Sequence, residues 1–268
     1  MLDPILTSAK NPRVRAAVDL RDRRSRDETG LTLVDGLREL DRAITAGAAV
    51  VEVFASLERL DPAALALVDR AVRAGAAVVP VNDTVLDKLA FGDRNEGVVA
   101  TVRIPGLALA SLRLPANPLV VVVEGVEKPG NIGAVLRSAD AAGADAVIAA
   151  DPRTDLFNPN AVRASLGTIF TVAMAAGPSP DVRDRLALDG ITVIAARVDA
   201  ERLYTDVDLT GPVAIVLGSE AGGLTDAWSG ADINPVRLPM LGVADSLNVS
   251  VTAAVLLYEA RRQRGMRP

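Results

Sequence analysis

The chain has 268 residues, 50% of them hydrophobic, so it is long enough to form two packed cores. Its formal net charge of −5 provides no overall positive field for nucleic acid, although a local basic patch could still bind RNA. It contains no cysteine and no histidine, which excludes disulfides, catalytic thiols, histidine-based triads and Cys/His zinc clusters.

The amino-terminal residues lack the basic and then apolar pattern of a secretory signal peptide. The strongest apolar run, from Leu119 to Val123, ends at Glu124 and is too short to span a bilayer. These features predict a soluble cytoplasmic protein without a membrane partner.

The first thirty residues are polar and rich in arginine. Between Lys10 and Arg26 there are seven basic residues and two acidic ones. Composition alone favours a solvated helix face, while the local excess of positive charge also fits a surface that contacts RNA phosphates. The second interpretation assigns RNA binding to Lys10, Arg13, Arg15, Arg23 and Arg24.

The next part of the chain alternates short apolar runs with segments of helical spacing. Strands are predicted at 31–34, 50–54, 78–81 and 98–102, and helices at 36–46 and 62–73. Prolines punctuate residues 104–118, which we interpret as a linker. Residues 1–103 are therefore predicted to form a small α/β domain.

The second half alternates strands and helices more regularly. Continuous apolar runs predict strands at 119–123, 146–149, 191–195, 213–217 and 236–238. Helices are predicted at 131–142, 159–166, 180–188 and 247–262. Runs that are apolar at every position indicate a parallel sheet covered on both faces. Residues 119–268 are therefore predicted to form a second, larger α/β domain.

Three polar motifs each follow an apolar run in this second half. They are Asn131-Ile132-Gly133 with Arg137, Gly218-Ser219-Glu220 through Gly222-Gly223-Leu224, and Ser246-Leu247-Asn248. Ligands bind outside the carboxyl ends of strands in open α/β sheets, so the three motifs could line one pocket. Each motif alone also has an ordinary structural interpretation: a glycine-rich turn, a solvated arginine, or Ser246 as a helix N-cap.

Taken together and in this order, the motifs resemble those of the SpoU (TrmH) family of RNA ribose 2′-O-methyltransferases, within the SPOUT superfamily. The third motif of the resemblance includes Leu238-Pro239-Met240 ahead of Ser246. The likeness covers about 119–262. The first domain is similar to a small ribosomal-protein RNA-binding fold, through its layout and through Arg13, Arg15 and the segment 33–36.

The resemblance implies an α/β methyltransferase domain with a deep trefoil knot, whose loops hold S-adenosylmethionine in a bent form. Apolar walls for a flat ring and a few polar backbone groups suit such a ligand. Matched one by one to the family motifs, with Ala196 added as a further wall for the adenine, the expected cofactor-binding residues are Ala196, Leu217, Gly218, Glu220, Leu238, Met240, Ser246, Leu247 and Asn248.

The resemblance also implies a ribose 2′-oxygen attacking the sulfonium methyl group, with no metal required. The expected catalytic residues are Asn131, Arg137, Glu220, Ser246 and Asn248. A guanidinium has a pKa above ~12, so we expect Arg137 to steer the 2′-oxygen and a phosphate rather than to act as a base. Arg163 resembles a family position close to the site, where we expect it to grip RNA phosphate. The family further implies a homodimer with the pocket near its interface.

Three functional hypotheses follow. The first is 2′-O-methylation of structured RNA, with large-subunit (23S) ribosomal RNA favoured over transfer RNA. The second is a catalytically silent RNA-binding or ribosome-assembly factor with the same fold. The third, a nucleotide-dependent oxidoreductase, is the weakest, because the chain lacks both the glycine fingerprint of a dinucleotide site and a histidine proton donor.

Overall fold

The computed structural model describes residues 4–91, 95–220 and 222–265. The strands are β1 (Leu31–Asp35), β2 (Val50–Ala55), β3 (Ala77–Pro80), β4 (Val98–Arg103), β5 (Leu119–Glu124), β6 (Ala146–Ala150), β7 (Ala173–Gly177), β8 (Thr192–Ala196), β9 (Val213–Leu217) and β10 (Ile233–Val236). The helices are α1 (Pro12–Asp19), α2 (Arg23–Thr29), α3 (Leu37–Thr45), α4 (Pro62–Arg73), α5 (Asp83–Leu89), α6 (Pro129–Ala142), α7 (Pro159–Ala164), α8 (Thr168–Thr171), α9 (Ser179–Leu188) and α10 (Val249–Gln263).

The chain forms two compact units. The first contains the chain up to Pro105 together with Phe157–Thr171, and the second contains Gly106–Leu156 together with the chain from Val172 onwards. The segment Phe157–Thr171, which carries α7 and α8, therefore packs with the first unit although its neighbours in sequence belong to the second. The domain boundaries at 103, 104–118 and 119 stay a prediction.

The first unit is built on a four-stranded sheet of order β1-β4-β2-β3. β4 runs antiparallel to both β1 and β2, while β2 and β3 are parallel. One face of this sheet packs against α1 and α5 around a fully buried cluster that includes Leu33, Phe54, Val99, Val14 and Leu86. The predicted strands and helices of this half all form.

Side-chain caps explain where several helices of the first unit begin. The side-chain oxygens of Asn11, Asp61 and Asn82 accept hydrogen bonds from backbone N–H groups in the first turns of α1, α4 and α5. α1 and α4 also start on a proline, whose missing N–H costs nothing at that position. α5, which the apolar pattern did not predict, has only seven residues and depends on its cap and on packing against α1.

The second unit contains a six-stranded sheet of order β10-β8-β9-β5-β6-β7, and every neighbouring pair is parallel. β5 is central and buried at every position, as its continuous apolar run predicted. The prediction of a parallel sheet is therefore confirmed. The last strand was predicted at 236–238, but β10 spans Ile233–Val236, where it pairs with β8. Beyond Val236 the backbone N–H of Arg237 donates to Arg202 O instead of continuing that pairing.

The order of the strands positions the three polar motifs. β5 leads to α6, β9 leads to the glycine-rich loop, and the chain after β10 leads to α10, which packs along α6. Because β5, β8, β9 and β10 all run in one direction, their carboxyl ends open on the same edge of the sheet. Within the described ranges, no helix is long and apolar enough to cross a membrane.

Candidate functional site

A cavity of about 480 Å³ opens at the carboxyl ends of β8, β9 and β10. All of the residues predicted to bind the cofactor line this cavity except Asn248, which lies beside it through a hydrogen bond to Glu220. The apolar part of the wall is formed by Ala196, Leu217, Leu238, Met240 and Leu247. An elongated ligand with one flat apolar group and several polar groups would suit such a lining.

Sequence reasoning missed part of the cavity wall. Arg197, Val198 and Asp199 follow β8 directly, and Asp245 stands just before Ser246. The Arg197 side chain is 3.3 Å from the Asp199 carboxylate, so one acidic group is already paired. The position of Arg197–Asp199 at a strand end could have identified them, because that edge is where ligands bind in open sheets.

The glycine-rich loop after β9 closes on itself. Ser219 N–H donates to Gly223 O at 3.1 Å, and Gly223 N–H donates to Ser219 O at 3.0 Å. Gly223 takes a left-handed conformation with φ of +64°. A Cβ at Gly218 would lie under 3.0 Å from backbone atoms of Gly223 and Leu224, so the loop can close only around a residue without a side chain.

A buried carboxylate anchors the far end of this loop. Glu124, at the end of β5, accepts hydrogen bonds from Thr225 N–H at 2.8 Å and Thr225 Oγ1 at 2.7 Å. It also accepts one from Ser179 Oγ at 2.8 Å. The side chain is 3% exposed, so these donors replace the water that the carboxylate has lost. In the sequence Glu124 marked only the end of an apolar run, and nothing there indicated its partners.

The three motifs meet at one carboxylate, Glu220. Its Oε1 accepts from Asn131 Nδ2 at 2.8 Å and from Asn248 Nδ2 at 2.7 Å, while its Oε2 accepts from Lys128 Nζ at 2.5 Å. Asn131 lies in the first turn of α6, and Lys128 immediately precedes that helix. We name these four residues the Glu220 cluster. Lys128, which is 69% exposed, was missed because it lies outside the glycine-containing motif.

Hydrogen bonds determine the ionisation of this cluster. The Lys128 ammonium, followed by the Asn131 amide, lowers the pKa of Glu220 below its ordinary value. The carboxylate in turn raises the pKa of Lys128. Glu220 is therefore a carboxylate whose two oxygens are already hydrogen-bonded, and it is better suited to orienting the two amides than to accepting a proton from a substrate.

Asn248 has a second role as the N-cap of α10. Its Oδ1 accepts from Ser250 N–H at 2.9 Å and from Ser250 Oγ at 2.6 Å. The interpretation of Ser246 as the N-cap of this helix was wrong, because the helix begins one residue after Asn248. Ser246 instead lines the cavity.

Arg137 is not brought to the Glu220 cluster within this chain. It is exposed on α6 and six residues after Asn131, which places it about 240° around the helix axis from that residue. Its side chain makes no hydrogen bond or ion pair with a described residue. Its catalytic role stays a prediction.

The basic residues predicted to bind RNA, all in the first unit, differ in their surroundings. Lys10 and Arg15 are exposed, and no described residue pairs with their side chains. By contrast, Arg13 bonds Glu52 at 2.9 Å, Arg23 is 3.5 Å from Asp27, and Arg24 is 2.8 Å from Glu28.

Arg163 has a structural partner in the same unit. Its Nη1 donates to Asp35 Oδ2 at 3.2 Å and to Phe91 O at 2.5 Å. The Asp35 side chain is 1% exposed, and burial raises its pKa to about 6 despite hydrogen bonding to Phe91 N–H and the charge of Arg163. Phosphate binding by Arg163 stays a prediction, and it would compete with this pair.

Comparison with known proteins adds a second line of evidence. Residues 118–258 match the model of the SpoU rRNA Methylase family, and residues 11–100 match the MRM3-like substrate binding domain. A 23S rRNA (uridine(2479)-2′-O)-methyltransferase of Streptomyces viridochromogenes is 33% identical over 255 residues, covering 91% of this chain and 87% of the relative.

Solved structures agree over nearly the whole chain. The crystal structure of an RNA 2′-O ribose methyltransferase superposes with a TM-score of 0.85 at 40% identity, covering 98% of this chain and 100% of the other. An AdoMet-bound rRNA methyltransferase from Sinorhizobium meliloti gives a TM-score of 0.88 at 28% identity, covering 97% of each chain.

Proposed function

The chain belongs to the SpoU rRNA methylase family, and on that premise we propose that it methylates a ribose 2′-hydroxyl of RNA with S-adenosylmethionine as the methyl donor. The favoured substrate is large-subunit (23S) ribosomal RNA, in keeping with the activity named for the Streptomyces relative. The observation that carries the proposal is the meeting of Asn131, Asn248 and Lys128 on Glu220 beside the cavity.

The residues of the cavity fit S-adenosylmethionine. Leu217, Leu238, Met240 and Leu247 offer apolar walls for the adenine, while Asp245 supplies negative charge for the ammonium or sulfonium group. The volume of about 480 Å³ falls within the usual range for a small-molecule site. When bound there, the cofactor supplies an activated methyl group.

The chain's own residues would then orient the acceptor ribose. Transfer would form a bond between the 2′-oxygen and the methyl carbon, break the carbon–sulfur bond of the sulfonium to leave a neutral thioether, and release the 2′-hydroxyl proton to solvent. Negative charge developing at that oxygen therefore has to be stabilised. The Glu220 carboxylate holds the Asn131 and Asn248 amides and the Lys128 cation at the rim, where they can contact a ribose or phosphate. Arg137 steers the 2′-oxygen, with Ser246 supporting the geometry.

The architecture proposed with this function comprises a trefoil knot in the methyltransferase domain, an RNA-binding amino-terminal domain and a homodimer, in a cytoplasmic protein. Apolar side chains on one face of α10 support the dimer, since Val251 and Tyr258 are each 46% exposed and stand two helical turns apart. Leu247, which lies two residues before the start of α10 and lines the cavity, is 40% exposed. A second copy placed there would adjoin the methyl-donor site.

The alternative is a catalytically silent ribosomal-RNA-binding protein. The position of Arg137 favours it, because within one chain this arginine stands apart from the Glu220 cluster. Methylation of transfer RNA is a further possibility for the substrate.

Methyl transfer from labelled S-adenosylmethionine to purified 23S ribosomal RNA and to transfer RNA tests the proposal. We expect label in the ribosomal RNA at an alkali-resistant linkage, and its loss in Arg137→Ala. Label in transfer RNA alone would identify transfer RNA, rather than 23S ribosomal RNA, as the substrate. Cofactor binding without transfer to either RNA would favour the catalytically silent protein.

A further inference from the structure

We propose that Lys10, Arg15 and Lys88 form a phosphate-binding pocket on the first unit that grips the RNA backbone. The three cations, with Ala9, Val18 and Asp19, line a cavity of about 400 Å³. Lys88 stands in the last turn of α5, and α1 carries Arg15. The inference rests on the proposed function for the identity of its ligand, and it adds a residue, Lys88, that the sequence did not single out.

The elements around this pocket are held together. α1 packs against α5, and the Arg21 guanidinium donates to the carbonyls of Lys88, Leu89 and Ala90 at 2.9, 3.1 and 2.8 Å. Arg21 thereby satisfies carbonyls at the end of α5 and fixes that end beside the α1–α2 turn. A pocket with such supports can present three cations with little loss of backbone entropy on binding.

Local charge balance distinguishes these cations from the other basic residues of the stretch 10–26. Ion pairs join Arg13 to Glu52, Arg23 to Asp27 and Arg24 to Glu28. Around the pocket Asp19 is the acidic lining residue, opposite three cations, and no described residue pairs with the side chains of Lys10, Arg15 or Lys88. The pocket therefore keeps cations that no described side chain neutralises, whereas Arg23 and Arg24 of α2 are each paired with a carboxylate.

The chemistry of the pocket fits a phosphodiester better than a base. Lysine and arginine side chains supply donors and positive charge, and the described lining contains no aromatic ring on which a base could stack. Such contacts bind RNA without reading its sequence, so we expect the pocket to set affinity and orientation while the second unit selects the nucleotide.

The test compares two triple variants of the full chain with equal loss of charge. The first is Lys10→Gln, Arg15→Gln and Lys88→Gln; the control is Arg70→Gln, Arg73→Gln and Arg103→Gln, three cations of the same unit that do not line the pocket. Binding of purified 23S ribosomal RNA is measured by filter retention between 50 and 300 mM salt, roughly the range over which phosphate contacts weaken strongly.

We expect the pocket variant to raise Kd at least about tenfold at low salt and to reduce the slope of log K against log salt by about 2, because each phosphate contact contributes roughly 0.7–0.9 to that slope. Methyl transfer by this variant should show a higher KM for RNA with an unchanged kcat. Equal weakening by the control, or an unchanged slope in the pocket variant, would overturn the proposal.

These measurements also distinguish a failure of the proposed enzymatic function from a failure of the phosphate pocket. A wild-type protein that binds 23S ribosomal RNA but transfers no methyl group would refute the enzyme, while the comparison of Kd and salt slope would still decide for or against the pocket. Thermal unfolding of both triple variants checks that the exposed substitutions leave the fold intact.

Discussion

Replacing Gly218 with alanine should force apart the glycine-rich loop after β9 and so disrupt the cofactor cavity that this loop lines. The added Cβ would meet the backbone carbon and oxygen of Gly223 and the nitrogen of Leu224 under 3.0 Å, and none of these atoms can rotate away as a side chain could. The loop would have to separate, breaking the two hydrogen bonds between Ser219 and Gly223.

The expected cost follows from these contacts. Overpacking costs about 1–3 kcal/mol and each lost backbone hydrogen bond about 1 kcal/mol. If 1.4–2.8 kcal/mol of this cost falls on the bound conformation, the Kd for S-adenosylmethionine rises about ten- to a hundredfold. Isothermal titration calorimetry measures this change directly.

Gly222→Ala in the same loop is the matched control. The nearest atom to a Cβ at Gly222 is Ser219 Oγ at 3.5 Å, an ordinary contact, and the residue does not need a left-handed conformation. We expect it to bind the cofactor with nearly wild-type affinity. Wild-type affinity in Gly218→Ala, or equal losses in both variants, would refute the argument that closure at Gly218 shapes the cavity.

Three further predictions concern single side chains. Arg137→Ala should bind S-adenosylmethionine normally in calorimetry yet lose methyl transfer, and full turnover would remove its catalytic role. Lys128→Met should lower kcat by freeing the Glu220 carboxylate while leaving cofactor Kd unchanged, and Lys128→Arg should restore much of the rate; a wild-type kcat in the methionine variant would contradict this role. Burial raises the pKa of Asp35 from 3.8 to about 6, so the ionised carboxylate destabilises the folded state above about pH 6. Protonation removes this cost as the pH falls from about 6 to 4. The free energy of unfolding of wild type, measured in urea, should therefore rise relative to that of Asp35→Asn as the pH falls over this interval, by up to about 3 kcal/mol. A constant difference between the two proteins would contradict this prediction.

Strands with a strong apolar pattern could be predicted from the sequence, whereas elements with a weaker pattern could not. β9 and most of β5 are continuous runs of apolar residues, most of them large, which is typical of a buried parallel strand. β7, a half-buried edge strand of mostly alanine, carries no such signal, and α5 is a short helix defined by its cap. The placement of Phe157–Thr171 with the first unit depends on tertiary contacts such as Thr32 Oγ1 to Phe157 O at 2.7 Å, which no local pattern encodes.

The candidate site shows the same division. The motifs identified Asn131, Glu220 and Asn248 because each stands beside a glycine-rich turn or a helix start at a strand end. Their convergence on one carboxylate, the participation of Lys128 and the anchoring of Thr225 by Glu124 depend on distances between segments far apart in sequence. The sequence therefore identified three of the four members of the cluster, including the central Glu220, but not Lys128 or the geometry.

The amide of Asn248 couples the start of α10 to the assembly of the Glu220 cluster, so the two form and break together. Its oxygen is used by the helix and its nitrogen by Glu220, so the amide orientation cannot reverse without losing both interactions. Aspartate, an equally good cap, would instead set two carboxylates against each other. Fraying of one helical turn would release the cluster, so slower hydrogen exchange at the Ser250 amide should accompany any ligand that stabilises it.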